Sequence, residues 1–333
     1  MAILPQLDAG LVVTILAALV FNFLDGYVAS SSLVATIIAS RTLGPRPALL
    51  LASIGEFIGP LVLGVAVAGT IGKNFITIQF LPLAAVLAML VGAIVWLLLT
   101  YRLGLPVSPS HALVGGILGA AVAAEGFSVV HTNGLVIILA SLLAAPLIAW
   151  LVGWVFMHLI LFLARDASPH INRFFKSAQV LTSGLLAISQ GSNDAQKTMG
   201  VIVMALVARG VQPAFSVPTW VIVLCAAVIA GGVGSGGSRT IRTVGAKFYR
   251  VRPVHGFATQ TVAASVVLIA GLLGAPVSAG QVVSSALVGV GSAERMSKIR
   301  WEVMVNLVVA WLFTIPAAAL MSGALYFVLA RFM

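Results

Sequence analysis

The sequence predicts an all-α polytopic membrane protein: two repeated halves with discontinuous helices, in about 10–12 membrane segments. Three observations support this fold class: the composition, a series of long apolar runs, and an internal repeat. Of the 333 residues, 61% are hydrophobic and only 8% are charged, whereas about a quarter of the residues in a soluble domain are charged. Because no soluble fold could bury this much apolar surface, the chain must lie in a lipid bilayer.

Apolar runs follow one another along the whole chain. A helix needs about 20 apolar residues to cross the hydrocarbon core of a bilayer. Several runs are too short to cross alone or are interrupted by Gly, Ser and Pro, which predicts broken spans. The runs are 9–25, 28–41, 46–70, 78–101, 106–124, 134–163, 178–190, 193–209, 216–236, 255–274, 277–291 and 303–331.

The net charge of +10 does not indicate nucleic-acid binding, because Lys and Arg are scarce and lie mostly in short connections. Such basic connections are typical of cytoplasmic loops. The clearest of them, 164–178, mixes basic and apolar side chains and predicts an amphipathic helix at the cytoplasmic interface. It separates a first transmembrane repeat, 1–163, from a second, 179–333. A further basic segment, 238–252, is also expected in the cytoplasm.

Related motifs occur in the same order in the two halves. The segment GLPVSPSHALVGGILG at 104–119 returns as GAPVSAGQVVSSALVG at 274–289, an offset of 170. Upstream, the motif LDGYVASSSLVAT aligns with the region around GSNDAQKTMG when Gly26 is placed on Gly191, an offset of 165. Two blocks at nearly the same offset indicate an internal duplication. Duplicated membrane halves with broken spans are typical of secondary transporters, whose binding site lies where the broken spans meet.

Each Pro-Val-Ser motif predicts a helix that begins within the membrane. Ser108 is a favourable N-cap and is followed by a proline, and Ser278 can cap the equivalent helix. Such helix starts direct free N–H groups and a positive dipole end into a cavity. Two of them, with Ser110 and Gly280 nearby, predict an anion site. The alternative is a pair of ordinary interfacial turns, which the repetition disfavours.

Three acids and one lysine lie within predicted membrane segments: Asp25, Glu56, Asp194 and Lys197. A charge at the centre of a bilayer costs about 2.5–3.5 kcal/mol on insertion scales, so we interpret these side chains as functional. The oxygen-bearing side chains around Asp194 would suit a small cation held partly by unwound backbone carbonyls. The alternative is an internal ion pair between Asp194 and Lys197, because residues three apart share a helix face.

The motif GSNDAQKTMGVI and the paired Pro-Val-Ser turns resemble the signatures of the inorganic phosphate transporter (Pit) family of cation-coupled anion symporters. The similarity covers essentially the whole chain. It implies two inverted-topology repeats with discontinuous helices, each with a helical hairpin, around a central site. It also implies a multi-pass protein of the cell membrane that imports inorganic phosphate, coupled to sodium or protons without another cofactor, and that often forms a homodimer. The alternative substrate is sulfate or another tetrahedral oxyanion, since some relatives in this family transport sulfate.

Residue roles follow from this resemblance and from the buried charges. The family's signature aspartate of the first repeat is replaced by alanine at position 29, so most of the charge chemistry is expected in the second repeat. The expected anion-binding residues are Ser108, Ser110, Asn193, Gln196, Lys197, Ser278 and Gly280. The expected coupling-cation residues are Asp25, Ser32, Glu56, Asp194 and Thr198, with Asp194 as the sodium ligand.

The sequence does not favour an enzyme or an ATP-driven pump. Ser110 and His111 are adjacent, but no third group that would complete a catalytic triad is recognisable. A phosphate-binding loop of the form G-x-x-x-x-G-K-[ST] is also absent from the sequence.

Overall fold

The computed structural model describes residues 8–105, 108–168, 170–236, 251–294 and 301–332. These residues form helices joined by turns, with one isolated β-bridge between Ile76 and Val130. The predicted all-α class is therefore confirmed.

The first half begins with a long helix and contains a bent segment. Its helices are α1 (Ala9–Ala39), α2 (Pro45–Val62), α3 (Ala66–Gly69), α4 (Leu83–Arg102), α5 (Pro109–Glu125) and α6 (Thr132–Leu163). The short helix α3 continues into a wider turn at Thr70–Asn74, and the two together are bent by 68° from α2.

The second half follows the same order with fewer described elements. Its helices are α7 (Ile171–Ala208), α8 (Thr219–Gly234), α9 (Pro253–Leu272), α10 (Ala279–Glu294) and α11 (Trp301–Leu329). Among the described helices, five are long and apolar enough to cross a membrane, or six if α2 and its bent continuation form one broken span. The shorter helices α5, α8 and α10 correspond to the predicted broken spans and hairpin arms.

Helices α1 and α7 are continuous where the sequence predicted breaks. Helix α1 covers both runs between 9 and 41, and α7 covers both runs between 178 and 209. Gly26 and Gly191 lie at these predicted breaks, but their role is close packing. A Cβ on Gly26 would lie 2.4 Å from the Ile229 carbonyl oxygen, and one on Gly191 would lie 2.5 Å from the Cα of Glu56. Glycine is required because a neighbouring backbone occupies the space of a side chain.

The predicted interfacial linker does not form a separate helix. Helix α7 begins at Ile171, so the second half of the segment 164–178 belongs to its first turns. Arg173 and Lys176 are exposed there, whereas Phe175 is buried. The amphipathic pattern therefore marks the N-terminal turns of a long helix. The division of the chain into two repeats stays a prediction.

The first helices of the two halves lie side by side in opposite directions. At one end, Asp8 before α1 forms an ion pair with Arg209 after α7. At the other end, the hydroxyls of Ser40 and Thr42 donate to Oε1 of Gln179, near the start of α7, at 2.8 and 2.7 Å. Equivalent helices that run in opposite directions are what an inverted repeat requires, so this geometry supports that prediction.

Two contacts between the halves support the duplication as well. In each, the second helix of one half packs against the first helix of the other. Gly59 of α2 packs against Ile188 of α7, and Gly232 of α8 packs against Phe23 of α1. Phe23 and Ile188 are 165 positions apart (188 − 23), the offset at which the two motifs align in the sequence. Gly59 and Gly232 are 173 positions apart (232 − 59), so the two contacts are alike but only their α1 and α7 partners keep the offset of the motifs.

The two predicted helical hairpins are present as α4–α5 and α9–α10. In the first, a Cβ on Gly116 of α5 would lie 2.6 Å from the carbonyl oxygen of Met89 in α4. In the second, the ends opposite the turn meet, because Arg252 forms an ion pair with Glu294. His255 Nε2 also lies 3.5 Å from a carboxylate oxygen of Glu294. Each hairpin turn therefore lies at the far end of two packed helices.

Candidate functional site

The two hairpin turns meet tip to tip. Ser108 Oγ donates to Ser278 Oγ at 2.9 Å, and both side chains are buried. One turn further along, Gln281 Nε2 lies 3.3 Å from His111 Nδ1. Both pairs join residues that are 170 positions apart. The helix starts predicted to form an anion site are thus brought together by contacts between equivalent positions.

Ser108 has the capping role that the sequence predicts. Its Oγ accepts a hydrogen bond from the His111 N–H at 3.3 Å, and Pro109 is the first residue of α5. In the second hairpin, α10 begins at Ala279, directly after Ser278. The first turns of α5 and α10 therefore face each other within the bundle.

Lys197 connects the middle of α7 to both hairpins. Its Nζ donates to Asp194 Oδ1 at 2.5 Å, to Ser110 Oγ at 2.6 Å and to the Val277 carbonyl oxygen at 3.0 Å. An ammonium group has three protons, so all three are used. Ser110 also donates to the Val277 carbonyl, at 3.1 Å. The internal ion pair that the sequence left as an alternative is therefore present, and the same lysine also contacts both hairpins.

Asn193 holds the turn of the second hairpin through its backbone. Its Oδ1 accepts from the Val277 N–H and its Nδ2 donates to the Ala275 carbonyl, each at 3.2 Å. Since both ends of the amide are occupied, Asn193 orients the turn that precedes Ser278. The predicted direct contact with an anion would require it to release that turn.

Gln196 makes its contacts away from the hairpin tips. Its Oε1 accepts from the Val67 N–H at 2.8 Å, at the start of the bent segment that follows α2. Its Nε2 donates to Ser192 Oγ at 2.7 Å. The structure therefore does not bring Gln196 to Ser108 or Ser278, although the four-residue motif Asn193 to Gln196 predicted a shared site.

Gly280 and Ser32 lie beside each other near the start of α10. A Cβ on Gly280 would lie 3.7 Å from Ser32 Oγ, which itself donates to the Ala29 carbonyl of its own helix at 2.8 Å. This contact places the first-repeat motif on α1 next to the second hairpin.

Three buried acids surround Lys197. Asp25, Glu56 and Asp194 are 2%, 0% and 3% exposed. Glu56 interacts electrostatically with both aspartates and with the lysine. Its backbone packs against Gly191, one helical turn before Asp194. The cluster therefore contains more acidic than basic groups.

Several oxygens around this cluster lack a hydrogen-bond partner within the described ranges. They are buried, and leaving such a group unpaired costs about 1–3 kcal/mol. A bound cation or proton would satisfy them. The atoms are Oδ1 of Asn22, Oδ2 of Asp25, Oε1 and Oε2 of Glu56, and Oγ1 of Thr198.

Two residues near the cluster were not singled out as ligands from the sequence. Asn22 donates from Nδ2 to the Cys225 carbonyl at 2.8 Å, which leaves its Oδ1 unpaired. The signal was its spacing, since Asn22 lies three residues before Asp25 on the same helix face. Gln190 is fully buried, and neither the oxygen nor the nitrogen of its side-chain amide has a partner among the residues that the structure describes. It lies four residues before Asp194 and therefore also shares a face with it.

The part of the chain that the structure describes has no group of three or more His, Cys, Asp or Glu side chains that could hold a metal ion. A cation would instead combine single carboxylates with amide or hydroxyl oxygens. Unwound carbonyls could not come from α7 itself, because α7 is helical throughout the stretch around Asp194 and its carbonyls are used within the helix.

An apolar helical bundle with two facing helix starts and buried charges defines a membrane transport protein for small ions. A family model described as the phosphate transporter family matches residues 26–322. The chain therefore belongs to the phosphate transporter family. Members are multi-pass proteins of the cell membrane, and they are transporters rather than enzymes.

Individual relatives match over nearly their whole length. The chain is 34% identical over 330 residues to a probable low-affinity inorganic phosphate transporter of Bacillus subtilis (strain 168), covering 97% of this chain and 99% of that protein. It is 37% identical over 319 residues to a protein of the same description from Rhizobium meliloti (strain 1021), covering 95% and 96%. The sulfate alternative gains no support from these relatives.

A solved structure described as the sodium-dependent phosphate transporter has the same fold. The TM-score is 0.88 at 24% sequence identity, and the match covers 98% of this chain and 100% of that one. This likeness confirms the polytopic helical fold predicted from the sequence.

Proposed function

We propose that the protein imports inorganic phosphate together with a coupling cation, and that phosphate binds between the starts of α5 and α10. The observation that carries this proposal is the contact between Ser108 and Ser278, which brings two helix starts to one place. Backbone N–H groups and helix dipoles at such starts favour an anion. The ammonium of Lys197 and the hydroxyl of Ser110 provide further donors at the same place.

The donors of this site are bonded to one another in the structure. Ser108 donates to Ser278, and Lys197 donates to Ser110 and to the Val277 carbonyl. A phosphate that enters between the tips would replace these contacts with bonds to its own oxygens. The hairpin tips must therefore separate on binding, and the hydrogen bonds lost between them are regained with the anion.

A coupling cation offsets the charge of the anion in a site of low dielectric constant. We propose sodium, with ligands from Asp194, Asp25, Asn22 and Thr198, because three of these side chains hold buried oxygens that have no partner among the described residues. The name of the solved relative, a sodium-dependent phosphate transporter, agrees with this choice.

A proton on Glu56 is the second candidate. Both oxygens of this carboxyl are buried without a donor in the described part of the chain. A carboxylate in such surroundings is much more costly to bury than the neutral acid. Glu56 can therefore carry a proton at lower cost than Asp194, whose Oδ1 already accepts from Lys197.

Uptake of labelled phosphate into proteoliposomes, with sodium and proton gradients imposed separately, tests both candidates. We expect Ser108→Ala and Ser278→Ala to lower uptake about tenfold or more. Ser265→Ala is the matched control, because its hydroxyl donates to the Thr261 carbonyl on the exposed face of α9. Equal uptake with no gradient of either cation would contradict coupled import, and unchanged uptake in both serine variants would contradict the site.

Sulfate competition tests the substrate. Hydrogen phosphate retains a hydroxyl that needs an acceptor, such as the Asp194 carboxylate, whereas sulfate near neutral pH has no proton to donate. Excess unlabelled phosphate should therefore block uptake at concentrations where sulfate does not.

The family resemblance also leads us to propose a homodimer, which light scattering of the purified protein can test.

A further inference from the structure

A stripe of hydroxyls leads along α1 from the hairpin tips to one end of the bundle. Ser32, Thr36 and Ser40 are spaced four residues apart, so they lie on one face of the helix. They are 9%, 2% and 6% exposed. Ser32 lies beside Gly280 at the start of α10, and Ser40 caps the end of α1. The stripe therefore extends for about 12 Å away from the proposed anion site.

Two glutamines connect this stripe to α7 and α9. Gln260 of α9 donates from Nε2 to Thr36 Oγ1 at 2.9 Å, and its Oε1 accepts from Thr182 of α7 at 3.2 Å. At the end of α1, the hydroxyls of Ser40 and Thr42 donate hydrogen bonds to Oε1 of Gln179 in α7. We call these groups the polar seam. It consists of Thr36, Ser40, Thr42, Gln179, Thr182, Thr259 and Gln260.

Hydrogen bonding in the polar seam is incomplete. Gln179 and Thr259 are both fully buried, yet Gln179 Nε2 and Thr259 Oγ1 have no partner in the described part of the chain. Gln179 Nε2 is pressed against Gly256, where a Cβ would lie only 1.8 Å away. If the amide were turned over, its oxygen would take the same unpaired position. Water or an oxyanion entering between α7 and α9 would satisfy these groups.

The opposite half of the α1–α7 interface is mostly apolar. Its exceptions are the Asp8–Arg209 ion pair at the end, Asn22 near the proposed site, and Thr14, whose hydroxyl donates to the Gly10 carbonyl of its own helix at 2.8 Å. Towards the start of α1, Leu11, Ile15 and Ala18 are buried in one hydrophobic cluster together with Met199 and Leu206 of α7. The hydrogen-bonded set of side-chain hydroxyls and amides that joins α1, α7 and α9 thus lies on one side of the proposed site. In a protein surrounded by lipid, buried polar groups of this kind mark the route of an ion or polar solute.

The polar seam lies near the basic segments of the chain. It lies at the starts of α7 and α9, and the basic segments 164–178 and 238–252 adjoin these two helix starts in the sequence. Most of 238–252 lies outside the described residues, so its place follows from the sequence alone. An excess of Lys and Arg marks the cytoplasmic side of a membrane protein.

We propose that the polar seam is the cytoplasmic gate of the phosphate route. It is closed in this structure, and it opens when α9 separates from α1 and α7. Phosphate released from the hairpin tips then passes along the exposed hydroxyls and amides. Neutral groups suit this role, because a fixed positive charge would hold the anion at the exit. This inference rests on the proposed import of phosphate and identifies its exit.

Cross-linking across the polar seam tests whether it opens. The chain has a single cysteine, Cys225, which is buried, so Cys225→Ala provides a background for the pair Thr36→Cys and Gln260→Cys. A short, reducible bifunctional thiol reagent should lower phosphate uptake about tenfold, and reduction should restore it. Undiminished uptake after complete cross-linking would overturn the proposal. Binding of labelled phosphate to the cross-linked protein in detergent should persist. If the proposed function were wrong, the protein would show neither phosphate binding nor phosphate uptake even before cross-linking.

A pair of neighbouring single cysteines provides a second measurement. Thr36 lies in the polar seam, whereas the adjacent Ile37 is equally buried in an apolar cluster. During sodium-driven phosphate transport, Thr36→Cys should react with a membrane-impermeant thiol reagent on the cytoplasmic side about tenfold faster than Ile37→Cys. The order of labelling should follow the stripe, with Ser40→Cys faster still. Equal rates for Thr36→Cys and Ile37→Cys would exclude an opening at the polar seam.

Discussion

Lys197 donates to Asp194 at 2.5 Å, and the same ammonium group also contacts Ser110 of the first hairpin and the Val277 carbonyl of the second. Pairing within α7 lowers the cost of two charges in a membrane. The two additional contacts, however, are with the segments that begin the facing helices. The geometry therefore combines the two interpretations that the sequence left open, an ion pair and a site group.

Removing the lysine should impair both stability and transport. Lys197→Met leaves the Asp194 carboxylate buried without its partner, which destabilises a protein by about 3–5 kcal/mol. The variant also removes a donor from the proposed anion site. Chemical unfolding of the purified protein in detergent measures the first effect, and uptake into proteoliposomes measures the second.

The double variant with Asp194→Asn and Lys197→Met separates the two roles. It restores charge balance, so most of the lost stability should return, and the two changes should be strongly non-additive because the side chains are in contact. Uptake should remain below about a tenth of the wild-type value. A double variant that transports normally would mean that the pair only neutralises charge.

Local capping chemistry made the hairpin starts predictable. Ser108 and Pro109 identify a helix start without knowledge of any neighbouring element, and the repeat located its counterpart at Ser278. The structure places the two in contact. Helix breaks were harder to predict, because a glycine that ends a helix and a glycine that admits a neighbouring backbone look alike in a sequence. Gly191 is of the second kind, and only the position of Glu56 shows it.

The direction of neighbouring side chains was the other point that the sequence could not predict. Asn193 and Gln196 lie in one motif, but helical geometry turns them by about 100° per residue. Asn193 reaches the second hairpin, whereas Gln196 reaches the segment after α2. Which face of α7 meets which element depends on long-range packing, and motif membership alone contains no information on it.

Truncating Asn193 should weaken phosphate binding more than it weakens the fold. Asn193→Ala removes two hydrogen bonds to the backbone of 275–277, each worth about 0.5–1.5 kcal/mol, so the turn before Ser278 loses its orientation. We expect the half-saturating phosphate concentration for uptake to rise about tenfold. Gln196→Ala is the matched control from the same motif, and it should affect stability with little change in that concentration.

Close approach of the backbones at Gly191 predicts a large effect of one methyl group. Gly191→Ala places a Cβ 2.5 Å from the Cα of Glu56, and such overpacking costs about 1–3 kcal/mol. Gly231→Ala, in α8, meets nothing within 4 Å and should be neutral or stabilising by about 0.5–1 kcal/mol, because alanine favours the helix. The difference between the two unfolding free energies measures the packing. Equal values for the two variants would mean that α2 and α7 do not pack at this distance.

The acids around Lys197 should respond differently to neutralisation. Within the described ranges, Asp25 has one unpaired oxygen, and Asn22, three residues earlier on α1, has another; in Glu56 both carboxyl oxygens are unpaired. If sodium is the coupling ion, Asp25→Asn removes a charged ligand, and the half-saturating sodium concentration should rise about tenfold at saturating phosphate. If Glu56 carries a coupled proton, Glu56→Gln should abolish uptake driven by a proton gradient. Sodium titrations of both variants, with and without that gradient, assign the coupling ion: a sodium response that is unchanged in Asp25→Asn would exclude this aspartate from the cation site.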